Sequence, residues 1–403
     1  MSQPTVVLML TLLLGIQPVT TDLYLPALPS LASALGADVG SAQLTLSALI
    51  ICFGVAQLVW GPVSDRFGRR PALLAGLALY SVAAVGATLA PTMAWLIAWR
   101  ALQGVGMAAA VTCGRSIVRD LYEPREGARV MSRALGGLGL LAMLGPLLGG
   151  VLVHTLHWRA TLAAVALFGV VALAMIAWRL RETLPQPDPR GTQLRRIAAN
   201  WRRMLRHPTF MAWTALLCAS WGGLFTMLAA SSFVFIDVLG TSRPAYGAVL
   251  GSCSLAYIGG TFLCRRLLAH GNASRAAAVG ALFSLSGGVL LAGLSLAGMQ
   301  SVAAFLPALW LYGIGHGISQ PCGQAGVTSP FPESAGTAAS LSGFAMMATA
   351  FGVGLWLAAR MDGTVFPLTL TLGAFGLTVA AVAWTLVRKH GDRRVLAPTV
   401  QGA

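Results

Sequence analysis

Asp22, Arg100 and His316 each stand inside apolar stretches long enough to cross a bilayer. Placing an Asp or Arg in hydrocarbon costs at least about 2.5–3.5 kcal/mol on insertion scales, so such a group is expected to meet a partner or a water-filled cavity. The chemistry open to Asp22 is reversible protonation, with occupancy set by the side to which its surroundings open. Arg100 lies several residues inside the fourth apolar run, too deep for snorkelling alone to explain it. It is the expected electrostatic partner that favours proton release from Asp22. His316, between Gly315 and Gly317, reads first as a hydrogen-bonded histidine inside a helix bundle. No His/Asp/Glu cluster, phosphate-cradling Gly loop or nucleophile motif accompanies these residues, so neither an enzyme nor a metal site is expected. The six cysteines are scattered through apolar segments without CxxC spacing, which predicts no disulfide framework.

The elements that must carry these groups are membrane helices. The chain has 403 residues, of which 56% are hydrophobic and 10% charged, and its mean hydropathy is +0.75. Windows of about 20 apolar residues fall near residues 5 to 32, 41 to 61, 71 to 90, 93 to 114, 132 to 153 and 158 to 178. A second group falls near 210 to 232, 246 to 264, 276 to 297, 301 to 322, 336 to 358 and 365 to 387. The predicted class is an all-α membrane protein with twelve spans in two six-helix bundles. The N-terminal run has no Lys or Arg before it, and it is read as the first span rather than a cleaved signal.

The formal charge of +15 reports topology, not nucleic-acid binding. All basic residues except Arg100, Arg159, Arg243 and Arg360 fall in the even-to-odd connections, the linker or the tail. By the positive-inside rule both termini are then expected in the cytoplasm, with anionic lipid beside the arginines. The densest connection is GPVSDRFGRRP, residues 61 to 71, expected to form a tight hairpin at the membrane surface. Gly61 and Gly68 would permit its turns, and Pro62 and Pro71 would fit the adjoining helix boundaries. The domain reading places the first bundle at 1–180, a basic linker at 181–209, the second bundle at 210–388 and a tail at 389–403. The linker holds Pro185, Pro187 and Pro189 and one amphipathic segment, Leu194 to Leu205, expected on the membrane surface. Gly61 precedes Arg66 as Gly260 precedes Arg265, a weak echo between the halves that fits a parallel repeat.

Residues 61 to 71 resemble the cytoplasmic signature of the major facilitator superfamily, G-x-x-x-D-R-x-G-R-R, at Gly61, Asp65, Arg66, Gly68, Arg69 and Arg70. RALQGVGMA at 100 to 108 resembles the fourth-helix motif at Arg100, Gln103, Gly104 and Gly106. LGPLLGG at 144 to 150 resembles the end of the fifth-helix antiporter motif at Gly145, Pro146, Gly149 and Gly150. DLYLPALP at 22 to 29, RDLY at 119 to 122 and RETLP at 181 to 185 narrow the likeness to the Bcr/CflA subgroup of drug:proton antiporters. The upstream part of the fifth-helix motif departs from the pattern, with Ser132 and Leu141 where glycines are usual.

The resemblance implies export of amphenicol, bicyclomycin or sulfonamide-type drugs from the bacterial inner membrane by alternating access. It implies a monomer that draws on the proton gradient without any cofactor. Asp22 and Arg100 are expected to couple the proton. Asp65, with Arg119 as its expected partner or facing the start of the eleventh span near Glu333 to Thr337, is expected to latch the cytoplasmic gate. The drug site should lie between the halves, with Tyr24, Trp60, Gln103, Trp221, Phe225, Met227, Tyr257, Trp310 and His316 as candidate wall residues. An exporter of an amino acid or small metabolite would share these motifs, and a nutrient symporter is less compatible with the Gly145–Pro146 element.

Overall fold

A computed structural model describes residues 3–122, 124–184, 193–331 and 334–391. Among them, twelve helices are long and apolar enough to cross a membrane, and there are no strands. The first span is broken: α1 (Gln3–Asp22) passes through a 3₁₀ turn (Leu25–Ala27) into the short α2 (Leu28–Ala34). The other spans of the first half are α3 (Val39–Phe67), α4 (Arg69–Thr88), α5 (Met93–Leu121), α6 (Pro124–Thr155) and α7 (Trp158–Arg179). After the linker helix α8 (Leu194–Leu205) come α9 (Pro208–Ser232, prolonged by a π-turn to Val238), α10 (Arg243–His270), α11 (Ala273–Leu296), α12 (Val302–Thr328), α13 (Ala335–Arg360) and α14 (Phe366–Val382). Linker residues 185–192, with their three prolines, and tail residues 392–403 lie outside the described residues.

The two halves repeat one packing pattern. In the first, α3 and α4 pack on α5, α1 packs on α6 and α4 on α7; in the second, α10 and α11 pack on α12, α9 on α13 and α11 on α14. These are the same pairings counted span by span, as expected of a parallel structural repeat. The halves meet along two seams, α3 against α13 and α6 against α10. Small residues set the second seam: a Cβ on Gly150 would overlap the backbone of Arg243 and Pro244, and one on Gly247 the backbone at Pro146. In lipid, where apolar side chains gain little from pairing, such close backbone approach is what holds helices together.

The charged hairpin is tighter than its glycines and prolines suggest. Helix α3 runs through Gly61 and Pro62 to Phe67, and α4 begins at Arg69, so Gly68 alone makes the turn at φ +101°. That conformation favours glycine because a Cβ would clash there. The helix outlasts the hydrocarbon window because backbone hydrogen bonding continues into the polar interface after hydropathy falls.

Candidate functional site

The break after α1 follows from its sequence. Pro26 has no N–H for the Asp22 carbonyl, and Tyr24 donates its backbone N–H to Thr21 at 3.2 Å, which leaves the Thr20 carbonyl without a helical donor. Arg100, on α5 and fully buried, fills that vacancy: its Nη2 donates to Thr20 O at 3.2 Å and its Nη1 to Gln103 Oε1 at 2.8 Å. The guanidinium also lies 4.4 Å from the ring centroid of Tyr24, whose hydroxyl meets Thr45 at 2.8 Å. A buried cation is thereby held against the carbonyl end of a helix by two carbonyl oxygens and one ring, with no carboxylate partner among the described residues.

This corrects the expected Asp22–Arg100 pair. Among the described residues no ion pair joins them; the Asp22 carboxylate accepts from Thr21 Oγ1 at 2.7 Å, and Asp22 lines a cavity that Arg100 does not.

The cavity, about 210 Å³, lies between the halves. Asp22, Gln17 and Thr21 from α1 face Trp221, Phe225 and Met227 from α9, Tyr257 from α10, and His316 and Gln320 from α12. Asp22 is its only carboxylate among the described residues. His316 is buried, 2.8 Å from Ser220 Oγ through Nδ1, with its ring between Trp221 and Tyr257 at centroid distances of 5.9 and 5.6 Å. Trp221 Nε1 and Gln320 Oε1 are buried on this wall without a hydrogen-bond partner, leaving one donor and one acceptor open. Gly145 lies against Asp22, with a Cβ position 3.4 Å from the Asp22 Cβ, and a Cβ on Gly149 would overlap the Leu23 carbonyl, so α6 packs directly on the α1 break.

Four of the expected wall residues are elsewhere. Tyr24 and Gln103 are fully buried as partners of Arg100. Trp60 donates its indole N–H to Val105 O at 2.8 Å between α3 and α5. Trp310 is 39% exposed and donates to Ser252 Oγ at 2.9 Å. Residue type suggested all four, but only the direction of each around its helix decides which face it lines. Gln17, Thr21 and Gln320 were missed, though an uncharged polar side chain in mid-span is itself a signal for an internal surface.

At the charged end, Asp65 pairs with Arg69 and not with Arg119. Gly68 folds α4 back so that Arg69, 2% exposed, meets Asp65, Asp120 (2.8 Å) and Ser64 (2.7 Å) together. Asp120 was not singled out from the sequence. Glu182, beyond α7, accepts the backbone N–H groups of Arg69 at 2.9 Å and Arg70 at 3.1 Å, capping α4 from a distant part of the chain. Arg70 donates to Ala177 O at 3.1 Å, and Arg66 lies 5.1 Å from the Phe67 ring centroid. Arg119 instead reaches the start of α13, with Nη1 at 3.5 Å from the position of a Cβ on Gly336. Glu333 lies outside the described residues.

Comparison with known proteins agrees with this architecture. Residues 10–355 match the Major Facilitator Superfamily model. A chloramphenicol resistance protein of Pseudomonas aeruginosa is 31% identical over 321 residues, 78% of this chain and 74% of that protein. Multidrug resistance protein D of Escherichia coli is 28% identical over 337 residues, 83% and 84% of the two chains. Among solved structures, a D-xylose-proton symporter superposes with a TM-score of 0.75 at 16% identity, covering 95% of this chain and 97% of that one, a likeness of fold. The chain belongs to the Major Facilitator Superfamily, a family of transporters and not of enzymes.

Proposed function

We propose that this chain exports compact, moderately apolar drugs across the bacterial inner membrane in exchange for protons, as a monomer with both termini in the cytoplasm and with no cofactor. The observation that carries the reading is the cavity between the halves, where Asp22 is the single carboxylate among the described residues on a largely apolar and aromatic wall with a few uncharged polar groups. A carboxyl that binds a proton when the cavity opens outward and gives it up to the cytoplasm as a drug binds would tie the two fluxes together. One proton crossing is worth about 2.3 kcal/mol per 100 mV, enough for roughly a fiftyfold drug gradient.

The remaining residues take supporting roles. Arg100 acts through the end of α1, holding the break that aims Asp22 at the cavity, and Tyr24 and Gln103 hold Arg100. Trp221, Phe225, Met227, Tyr257 and His316 supply apolar and aromatic contact. The open donor of Trp221 and open acceptor of Gln320 suit an uncharged solute with both kinds of polar group. The Asp65–Arg69–Asp120 cluster and Arg119 serve the inner gate, and Gly145, Pro146, Gly149 and Gly150 let α6 pivot on α1 and α10. The chloramphenicol resistance named in one relative supports amphenicols among the substrates, and the multidrug resistance named in the other supports more than one drug.

The test is accumulation of labelled chloramphenicol in an efflux-deficient bacterium. Expression should lower accumulation, and a protonophore should restore it. Equal accumulation with and without the protein, for chloramphenicol, bicyclomycin and a sulfonamide, would contradict the reading.

A further inference from the structure

All six cysteines are free thiols, and two of them meet. Cys264 of α10 and Cys322 of α12 are both buried, with their sulfurs 3.6 Å apart, close enough for one S–H to donate to the other sulfur. Arg265 and Arg266, next along α10, are exposed. The pair therefore lies where the apolar span gives way to water, within reach of a small uncharged solute.

The thiols stand at the end of a glycine-lined contact between their two helices. A Cβ on Gly317 of α12 would overlap the Tyr257 carbonyl of α10, and one on Gly260 of α10 would overlap the Ile314 carbonyl of α12. Backbone meets backbone there, without side chains from these glycines to interlock the helices, and packed helices of this kind adjust by small sliding shifts. The rings of Tyr257 and His316 face one another across the same joint at 5.6 Å, on the wall of the central cavity. Cys264 follows Gly260 by one turn on the same face of α10.

From this juxtaposition we propose that Cys264 and Cys322 form a reversible redox clamp: a peroxide-class oxidant closes them into a disulfide that pins α10 to α12 and fixes the Tyr257–His316 wall of the central cavity. Peroxide first gives one oxygen to one sulfur; the O–O bond breaks, the thiol becomes a sulfenic acid and one water leaves. The second sulfur then attacks the first. The S–O bond breaks as the S–S bond forms, and the second thiol's proton leaves with the hydroxyl as water. Two thiols are oxidised, one peroxide is reduced and two waters form. A dithiol reductant reopens the clamp by exchange. With this end of α10 at the cytoplasmic face, as proposed above, such a disulfide is transient and of the redox-sensing kind. Its effect on turnover rests on the efflux reading; its formation does not.

The experiment treats the full-length protein in membranes with hydrogen peroxide, alkylates the remaining thiols and maps the peptides by mass spectrometry. A peptide pair joined through Cys264 and Cys322 is expected, with Cys253, a buried thiol on the same helix, still alkylated. Both cysteines remaining alkylated, or oxidised singly without a link, would overturn the site. In detergent, peroxide should raise the melting temperature of the parent and dithiothreitol should reverse the rise; Cys264→Ser, or Cys264→Ala if the serine variant does not fold, should show neither change. In cells, peroxide should remove most drug efflux by the parent and spare the Cys264 variant. A link that forms without a rise in melting temperature, or equal loss of efflux in parent and variant, would overturn the clamp. A parent that exports no drug before oxidation contradicts the efflux reading, and the peptide link and the melting temperature then decide the clamp alone.

Discussion

Arg100 donates to the backbone oxygen of Thr20 across 3.2 Å, two residues ahead of the carboxylate that its charge was expected to meet. The contact makes Arg100 a fastening for the broken end of α1. Substituting Arg100 by Ala strands the Thr20 carbonyl and Gln103, a loss on the order of 1–3 kcal/mol for each buried group left unsatisfied. Drug efflux should then fall about tenfold or more at unchanged membrane insertion, since 1.4 kcal/mol of misplaced geometry already costs a factor of ten. Arg100→Lys should recover only part of it, because an ammonium cannot serve Thr20, Gln103 and the Tyr24 face together. Intact resistance at equal expression in the Ala variant would contradict this role.

Trp221 offers an open indole N–H to the central cavity. Trp221→Phe keeps most of the ring and removes the donor. Drug affinity should weaken by roughly 0.5–1.5 kcal/mol, about two- to twelvefold in Kd, with the fold unaffected. Equilibrium binding of labelled drug to purified protein checks this, and an unchanged Kd would remove Trp221 from the polar contacts.

Two carboxylates share Arg69 unequally. Asp120 is 9% exposed and Asp65 44% exposed. Asp120→Asn should therefore cost more stability, about 2 kcal/mol, less than the ~3–5 kcal/mol of a broken buried pair because Asp65 and Ser64 remain. Asp65→Asn should cost under about 1 kcal/mol, yet slow transport turnover more than it weakens drug binding. Thermal melts in detergent and transport assays separate the two, and the opposite stability order would overturn the ranking.

Glu182 carries a pH signature. Partial burial pushes its carboxyl pKa up, but the backbone N–H groups of Leu184, Arg69, Arg70 and Thr183 outweigh this and hold it below its ordinary value of 4.5. With the folded-state value depressed, the stabilisation is complete above pH 4.5 and is lost as pH falls through the folded value. Melting temperature should drop on acidification below that point in the parent and more shallowly in Glu182→Gln, which already lacks a cap worth about 1 kcal/mol. Parallel pH profiles would contradict the assignment.

Hydropathy made the twelve spans legible because each needs about 20 apolar residues whatever its neighbours. It could not place helix ends such as Phe67 or Leu121, where hydrogen bonding outruns the apolar window. The single charges Asp22 and Arg100 were visible for the same energetic reason. Their relationship was not, because it depends on which carbonyl the Pro26 break releases. Likewise Asp65 and Arg119 looked like partners until the one-residue turn at Gly68 placed Arg69 between Asp65 and Asp120. Trp221 and Trp310 are alike in type and mid-span position. One faces the cavity and the other is exposed on the outer face, a distinction of helix rotation that composition does not encode.

The central claim is that Asp22 carries the proton exchanged for drug. Inverted membrane vesicles loaded with a pH-sensitive dye and given chloramphenicol test it most directly. Substrate-evoked proton movement should be present in the parent and abolished in Asp22→Asn, while the variant still binds drug. Proton movement of parental size in Asp22→Asn would contradict the account.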